Sequence, residues 1–325
     1  MWSLLSSINK NLVIAIPLLM AAGFCYGLVT DAGWVKSLIV PFTFLMVYPM
    51  MVTLRIKKVL EGGDGRAQLL TQLINFAVIP FAAFGLGKIF FPESHFMALG
   101  LLLASLVPTS GMTISWTGFA KGNLEAAVKM TVIGLILGSL ATPFYVQWLL
   151  GTQVTVDTAA VMTQIAFIVF LPMAAGFATQ QALVAKVGQK GFQDVWAPRF
   201  PALSTIGVLG IVFIAIAVKA RAVAEQPQQL IGIFVPLLLL YLFNYSLSTI
   251  TGKSLLPRGD AIALVYGTVM RNLSIALAIA MNAFGPRGSE AALVIALAYI
   301  IQVQSAAWYV KLTDRIFGPA APAKP

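Results

Sequence analysis

The chain has 325 residues, of which 59% are hydrophobic and only 10% are charged, and its mean hydropathy is +0.90. These values lie far outside the range of soluble globular proteins and indicate a membrane protein with no long polar stretch for a soluble domain. The net charge of +10 does not indicate a nucleic-acid partner, because the basic residues are scattered between hydrophobic segments, and the single cysteine, Cys25, excludes an intrachain disulfide and a multi-thiol metal site.

Hydrophobic runs of about 20 residues, the length that crosses roughly 30 Å of hydrocarbon, recur along the whole chain. They predict an all-α polytopic membrane protein with ten spanning helices. The first run lacks a clean small-residue cleavage site and further spans follow at once, so we expect a retained helix there and not a signal peptide. The ten segments are about 12–29, 37–55, 68–91, 96–119, 124–150, 157–180, 201–220, 229–251, 261–284 and 290–312.

The distribution of Lys and Arg predicts the orientation of these spans. With both termini in the cytoplasm, fourteen basic residues fall on the cytoplasmic side and five on the other, as the positive-inside rule requires. The expected location is a bacterial inner membrane. The cytoplasmic set is Lys10, Arg55, Lys57, Lys58, Arg66, Lys121, Lys186, Lys190, Arg199, Lys253, Arg258, Lys311, Arg315 and Lys324, and the opposite set is Lys36, Lys88, Lys219, Arg221 and Arg287.

Two faint internal matches indicate a duplication. MAAGF occurs at 20–24 and again at 173–177, and KGNLEAAV at 121–128 resembles RGSEAAL at 287–293. Either match alone is weak in so Ala-rich a sequence, but both pair span n with span n+5. Because five is an odd number of spans, the second copy is expected to be inverted relative to the first. The predicted repeats are residues 1–152 and 153–325.

The fourth span and its repeat mate, the ninth, both carry polar interruptions. LVPTSGMTISW at 106–116 places Pro108 and Gly111 in the middle of an apolar run, and VYGTVMRNLSIALAIA at 265–280 carries Gly267 at similar depth. In transporters with inverted repeats, discontinuous helices at the membrane midplane form the substrate site. Pro108 and Gly267 are therefore predicted helix breaks.

Arg271 is the most informative residue in the sequence. A charge near the bilayer centre costs roughly 2.5–3.5 kcal/mol even on the lenient insertion scale, so its side chain must face a cavity or a partner. One interpretation is structural: the arginine holds backbone carbonyls of the broken fourth helix. The other is functional: its fixed positive charge attracts an anionic substrate or replaces a coupling cation. The sequence leaves both open.

Polar residues around the two interruptions form the predicted site. Hydroxyl side chains in apolar helices usually bond back to the preceding turn, but here they cluster at a Pro-Gly break and opposite a second polar stretch. Small anions are the expected substrates. The predicted substrate-binding residues are Thr109, Ser110, Gly111, Thr113, Arg271, Asn272, Ser274 and Asn244, and Gln72, Thr268 and Met270 are predicted to line an ion site.

No acidic residue lies at the predicted midplane, and the one histidine, His95, falls in a loop. A carboxylate-based sodium site or proton relay is therefore poorly supported. Glu125 and Lys129 are spaced to pair along one helical face. A membrane-embedded enzyme needs a nucleophile with a base, paired carboxylates or a metal cluster at the midplane, so we predict no enzymatic activity, no cofactor and no metal site. Broken helices also form the selectivity filters of channels, so the sequence does not by itself distinguish a channel from a carrier.

With these features in place, the chain resembles the bile acid:sodium symporter superfamily, which includes the arsenite permeases of arsenical resistance. The resemblance covers essentially the whole chain and depends on LVPTSGMTISW with FAKGN at 119–123, on FLMVYPMM at 44–51 and on MRNLSIALAIA at 270–280. It implies a core of spans 3–5 and 8–10, in which helices 4 and 9 cross, moving against a panel of spans 1, 2, 6 and 7.

The chain departs from both branches of that superfamily where the chemistry is decided. The resemblance implies a cysteine after the proline of span 4 in the arsenite branch, and this chain has Thr109 there. It implies a glutamate and a glutamine around span 9 in the sodium-coupled branch, and this chain has Gly267 and Arg271. A guanidinium at a sodium-ligand position would repel the ion and mimic its charge.

The sequence as a whole predicts a secondary transporter of a small anion, either an organic anion or an oxyanion, with sodium coupling doubtful. The alternatives are an arsenite efflux permease and a sodium-coupled organic-anion or bile acid symporter. The expected partners are the substrate and the lipid bilayer, with no nucleic acid. A coupling ion, sodium or proton, the direction of transport and a homo-oligomer are left open.

Overall fold

The computed structural model describes residues 11–54, 63–151, 158–225, 227–284 and 287–319. Within these ranges every regular element is a helix, as the apolar composition predicts for a chain whose backbone must satisfy its own hydrogen bonds in lipid. Of the residues named above, Lys10, Arg55, Lys57, Lys58 and Lys324 lie outside the described residues.

The first part of the described chain forms six helices. A short 3₁₀ turn, Trp34–Leu38, precedes the second of them, and a π-helical segment, Ile74–Val78, interrupts the third. The helices are α1 Leu12–Val29, α2 Ile39–Val52, α3 Gly65–Phe90, α4 His95–Leu106, α5 Gly111–Phe119 and α6 Leu124–Leu150.

The second part of the described chain also forms six helices. The first, α7, consists of four consecutive pieces: Thr158–Ile165, Ala166–Phe170, Leu171–Gly191 and Phe192–Trp196. The others are α8 Arg199–Glu225, α9 Gln228–Leu255, α10 Arg258–Val269, α11 Leu273–Ala283 and α12 Gly288–Phe317.

Seven helices of the described chain are long and apolar enough to cross a membrane: α2 with its 3₁₀ turn, α3, α6, α7, α8, α9 and α12. Three others, α1, α4 and α11, are apolar but shorter. The predicted fourth and ninth spans are each divided, into α4 and α5 and into α10 and α11, so neither contains a single helix of spanning length. The chain is an all-helical polytopic membrane protein.

The described helices pack mainly within two groups. Helix α8 lies along α1 and α2, and α7 lies along α2, whereas α12 packs against α4, α9 and α11, and α10 packs against α3, α5, α6 and α9. Glycines allow the closest approaches between backbones: a side chain on Gly207 would collide with Met46, and one on Gly100 would come within 2.6 Å of the Ala291 carbonyl oxygen. Such contacts substitute for the hydrophobic effect, which does not drive helix association in lipid.

Gly27 provides a test of the α1–α8 contact. A Cβ atom there would collide with the Ala217 carbonyl oxygen and lie 2.7 Å from the Ala220 Cβ, so Gly27→Ala forces the two helices apart. We expect the free energy of unfolding to fall by about 1–3 kcal/mol, the usual effect of overpacking, and the melting temperature of the detergent-purified protein to fall with it. The control is Gly232→Ala on α9, where a Cβ meets nothing within 4 Å. An equal melting temperature for the two variants would contradict this account.

Candidate functional site

The two interruptions meet and satisfy each other. Helix α4 ends at Leu106 and α10 ends at Val269, and between the following segments Pro108 and Arg271 pair as two residues of an antiparallel bridge. The Asn272 N–H donates to the Val107 carbonyl oxygen at 2.8 Å. Helix ends buried in a bilayer need such partners, because no water is available to the free backbone groups.

The segment between α4 and α5 is fixed from both sides. The Ser110 hydroxyl caps α5 by accepting from the Met112 N–H at 3.2 Å, and the Thr113 hydroxyl accepts from the Ser110 N–H at 3.2 Å, a reciprocal capping box. Thr109 has φ of +65°, a strained region for a residue with a Cβ, and its hydroxyl lies 3.2 Å from the Thr131 carbonyl oxygen on α6. The Thr109 side chain is fully buried and turned toward α6.

The second break falls later than the sequence predicts. Gly267 lies inside the last turn of α10, and the helix is interrupted at Met270–Asn272. The break therefore needs no glycine, because Asn272 caps α11 by accepting from the Ile275 N–H at 3.2 Å. Gly267 serves close packing instead, since a Cβ there would lie 2.7 Å from the Met130 sulfur.

The backbone of Arg271 is held by one side chain of α12. The Gln302 Oε1 accepts from the Arg271 N–H at 2.9 Å, and the Gln302 Nε2 donates to the Arg271 carbonyl oxygen at 3.1 Å. The same Oε1 accepts from the Tyr241 hydroxyl of α9 at 2.9 Å. Gln302 thus completes the pairing that Pro108 begins on the opposite side of the chain.

The guanidinium of Arg271 is buried and lacks partners. The residue is 3% exposed, and its Nη1 and Nη2 atoms have no hydrogen-bond partner among the described residues. Leaving a buried charge unpaired costs several kcal/mol. The structural interpretation of Arg271 does not fit its side chain, because neither Nη atom bonds a carbonyl among the described residues; the backbone of Arg271 is what pairs with the break in the fourth span.

Other predicted residues contact α9 or α12, lie on α3, or are buried between the helices. The Asn244 Nδ2 donates to the Thr268 carbonyl oxygen at 2.8 Å, and the Thr268 hydroxyl lies 2.6 Å from the Ser248 hydroxyl. Met270 is fully buried, and the Gln72 side-chain amide is buried with no hydrogen-bond partner in the described chain. The Ser274 hydroxyl lies 2.5 Å from the Tyr299 hydroxyl.

The crossover is the region where residues 107–110, between α4 and α5, meet residues 270–272, between α10 and α11. A cavity of about 50 Å³ lies beside it, toward α2 and α6. Of the predicted site residues, Ser110, Gly111 and Asn272 line it, whereas Arg271 is not among its lining residues. Apart from these polar groups at the starts of α5 and α11, its wall is largely apolar. The remaining lining residues are Met50, Met51, Thr53, Leu54, Ile114, Val128, Thr131, Val132 and Leu135.

Comparison with protein families gives the relationship of this chain. A family model described as Sodium Bile acid symporter family matches residues 40–226, more than half of the chain. The chain belongs to this family. It is therefore a membrane transporter and not an enzyme.

Three curated relatives of this sodium bile acid symporter family member show the range of its similarities. It is 25% identical to the arsenical-resistance protein Acr3 of Alkaliphilus metalliredigens over 287 residues, which cover 84% of this chain and 80% of the relative. It is 21% identical to Acr3 of Corynebacterium glutamicum, with 88% and 84% covered, and 27% identical to the uncharacterized sodium-dependent transporter YocS of Bacillus subtilis, with 78% and 76% covered.

Sequence reasoning missed part of the site in this symporter-family chain. Met50, Met51, Thr53 and Leu54 bring α2 to the cavity, although FLMVYPMM marked the α2 segment only as a family resemblance. Gln302 was not among the predicted site residues, although its side chain holds the Arg271 backbone. The pairing of Lys129 with Glu125 stays a prediction. The Lys129 Nζ lies 3.4 Å from an Asp64 carboxylate oxygen, a contact that the sequence did not indicate.

The cap of α5 is a separable element of this site. Ser110→Ala removes the acceptor for the Met112 N–H, and we expect stability to fall by about 1 kcal/mol, as for other N-caps. Transport should fall too, because the start of α5 lines the cavity. Ser115→Ala is the matched control in the same short helix, since the Ser115 hydroxyl is exposed and bonds only weakly, at 3.4 Å, to the Gly111 carbonyl oxygen. Melting curves and vesicle uptake of both variants make the comparison; equal losses would refute a capping role.

Proposed function

We propose that the chain is a secondary transporter of a small organic anion that works by alternating access without sodium. In this proposal it spans a bacterial inner membrane ten times as two inverted five-helix repeats, with both termini in the cytoplasm. The substrate binds in the cavity between α2, α5 and α6. The observation that carries the proposal is the positive charge gathered at the crossover: the N-termini of α5 and α11 reach the cavity wall, and behind Asn272 the buried Arg271 guanidinium has no partner for its Nη1 and Nη2 atoms among the described residues.

The helix ends at the crossover support an anionic substrate. Helices α5 and α11 begin there, and each helix N-terminus carries a partial positive charge of roughly half an elementary charge. Ser110, Gly111 and Asn272 bring those two ends to the cavity wall. Arg271, directly beside Asn272 in the chain, adds a full positive charge in a low-dielectric setting, where charge acts over longer distances. The apolar remainder of the wall suits the hydrocarbon part of a small carboxylate.

Arg271 also supports sodium independence. The description of the family model and the name of YocS both mention sodium. Sodium-coupled transport is therefore the alternative to the sodium-independent transport proposed here. A fixed guanidinium within the crossover repels a cation there and supplies the positive charge that the cation would bring.

The arsenite alternative has support from two Acr3 relatives. Against it, no thiol lies at the cavity wall: the residue after Pro108 is Thr109, and the only cysteine of the sequence, Cys25, is exposed on α1. Soft thiolates are the ligands that would capture trivalent arsenic. An organic anion therefore remains the better proposal.

The proposed motion follows from unequal exposure of the two half-helices. Helix α5 exposes Gly111, Ser115 and Phe119 at a spacing of four, whereas α11 is buried along most of its length. At the α11 end, the Lys219 Nζ lies 3.6 Å from a Glu290 carboxylate oxygen and links α8 to α12. In the proposal this end is closed, and rocking of the two helix groups opens it.

Arg271→Gln tests the anion site. It removes an unpaired buried charge, so we expect the variant to fold with equal or greater stability. Purified protein is heated with small carboxylates, bile acids and arsenite, each with and without sodium, since a ligand at about 100 times its dissociation constant adds about 2.7 kcal/mol. We expect a carboxylate to stabilise the natural chain without sodium and to fail with Arg271→Gln, whereas Arg221→Gln, at an exposed arginine of α8, retains the response. Stabilisation by arsenite alone would overturn the proposal.

Glu290→Gln tests the closed end. Loss of the partly exposed Lys219–Glu290 pair costs about 0.2–1 kcal/mol, which raises the population open at that end by up to about five-fold. In a Cys25→Ser background, Ala278→Cys reports the opening, because Ala278 is fully buried in α11. We expect faster labelling by a membrane-impermeant maleimide with Glu290→Gln and no change with Glu93→Gln, an exposed loop residue. Unchanged labelling in the first variant would count against this closure.

A further inference from the structure

Three amide side chains converge on the open end of α10. The Asn75 Nδ2 donates to the Gly267 carbonyl oxygen at 3.0 Å, the Asn244 Nδ2 donates to the Thr268 carbonyl oxygen at 2.8 Å, and the Gln302 Nε2 donates to the Arg271 carbonyl oxygen at 3.1 Å. The three donors come from three different helices, α3, α9 and α12, and none of them is more than 3% exposed.

Carbonyl oxygens at a helix end attract positive partners. The last carbonyls of a helix have no intrahelical donor, and together they carry a partial negative charge. In a membrane such oxygens bind either a donor group or a hard cation, and half-helix C-termini with unwound backbone carbonyls are the usual coordination of sodium in transporters. At the end of α10 the partners are N–H groups of amides.

The amide orientations are fixed by more than these carbonyls. The Asn244 Oδ1 accepts from the Ser248 hydroxyl at 3.1 Å, and the Gln302 Oε1 accepts from the Arg271 N–H and from the Tyr241 hydroxyl, each at 2.9 Å. Turning Gln302 to present its oxygen to a cation would break its bonds and leave its N–H facing the Arg271 N–H, whereas turning Asn244 would break its bond to the Thr268 carbonyl and require the Ser248 hydroxyl to become the acceptor. The Asn75 Oδ1 has no partner in the described chain, so Asn75 is held by the Gly267 carbonyl alone.

We infer that Asn75, Asn244 and Gln302 are positioning residues that take the place of a coupling cation at the end of α10. They hold the Gly267, Thr268 and Arg271 carbonyls by N–H donation, so these oxygens face donors where a coupling cation would otherwise be coordinated. This inference rests on the proposed sodium-independent transport and names the groups that make it so.

The inference predicts that a cation site appears when a donor becomes an acceptor. Asn244→Asp is nearly isosteric and replaces the N–H donor by an oxygen facing the Thr268 carbonyl. Because a carboxylate there would otherwise pair with Arg271, the variant combines Asn244→Asp with Arg271→Gln. Gln302→Glu with Arg271→Gln makes the equivalent change from α12 and serves if the first pair does not fold.

Asn282 provides the matched control. Its Nδ2 donates at 2.8 Å to the Ala278 carbonyl oxygen of its own helix, α11, away from the end of α10. Arg271→Gln with Asn282→Asp therefore adds the same carboxylate and removes the same arginine without adding an oxygen beside the α10 carbonyls.

The measurement is the melting temperature of each purified protein in sodium chloride and in choline chloride at equal ionic strength. We expect no difference for the natural chain or the Asn282 control, and a rise of several degrees in sodium for the Asn244 or Gln302 variant. A higher melting temperature of the natural chain in sodium chloride would overturn the inference. So would folded Asn244 and Gln302 variants whose melting temperature is the same in both salts. The carboxylate experiment tests the proposed function independently. If the natural chain binds no carboxylate, the proposed function is refuted, but the sodium comparison still tests the role of the three amides.

Discussion

The pairing of two broken helices is the constraint on which the rest of the site depends. Four helix ends, those of α4, α5, α10 and α11, meet inside a bundle where water is unavailable to their free backbone groups. The Pro108–Arg271 bridge and the Asn272–Val107 hydrogen bond satisfy part of this demand, and side chains satisfy much of the rest. Polar side chains are energetically unfavourable in a membrane, but here they form the hydrogen bonds that the free backbone groups at the break require.

This constraint sorts the polar residues into two sets with different tasks. Ser110 and Asn272 cap the helices that begin at the crossover, and both line the cavity. Asn244 and Gln302 hold carbonyls on the other side, near Arg271. The cavity therefore faces helix N-termini, while carbonyls at and just after the end of α10 accept from amide donors.

The sequence predicted the existence of both breaks, because each places a cluster of polar side chains, the first together with a proline and a glycine, inside an otherwise apolar run. It also marked Arg271 as buried in the membrane. It misplaced the second break, since Gly267 packs against Met130, and a capping asparagine sufficed to start α11. The partnership of Gln302 with Arg271 joins residues 31 positions apart, and nothing local in the sequence specifies it. Which side of the crossover holds the cavity depends in the same way on helix packing.

The position of Arg271 links stability to function. A buried guanidinium whose Nη1 and Nη2 atoms find no partner in the described part of the chain is unfavourable in a static structure, and a neutral side chain there would be more stable. Its persistence is explained if the charge acts on a ligand that is present for part of a cycle. The nearby N-termini of α5 and α11 have the same sign, so they repel the guanidinium in the empty site. In the proposed function, an anion bound near the crossover would offset both the repulsion and the desolvation, and it would thereby favour the conformation in which the crossover is enclosed.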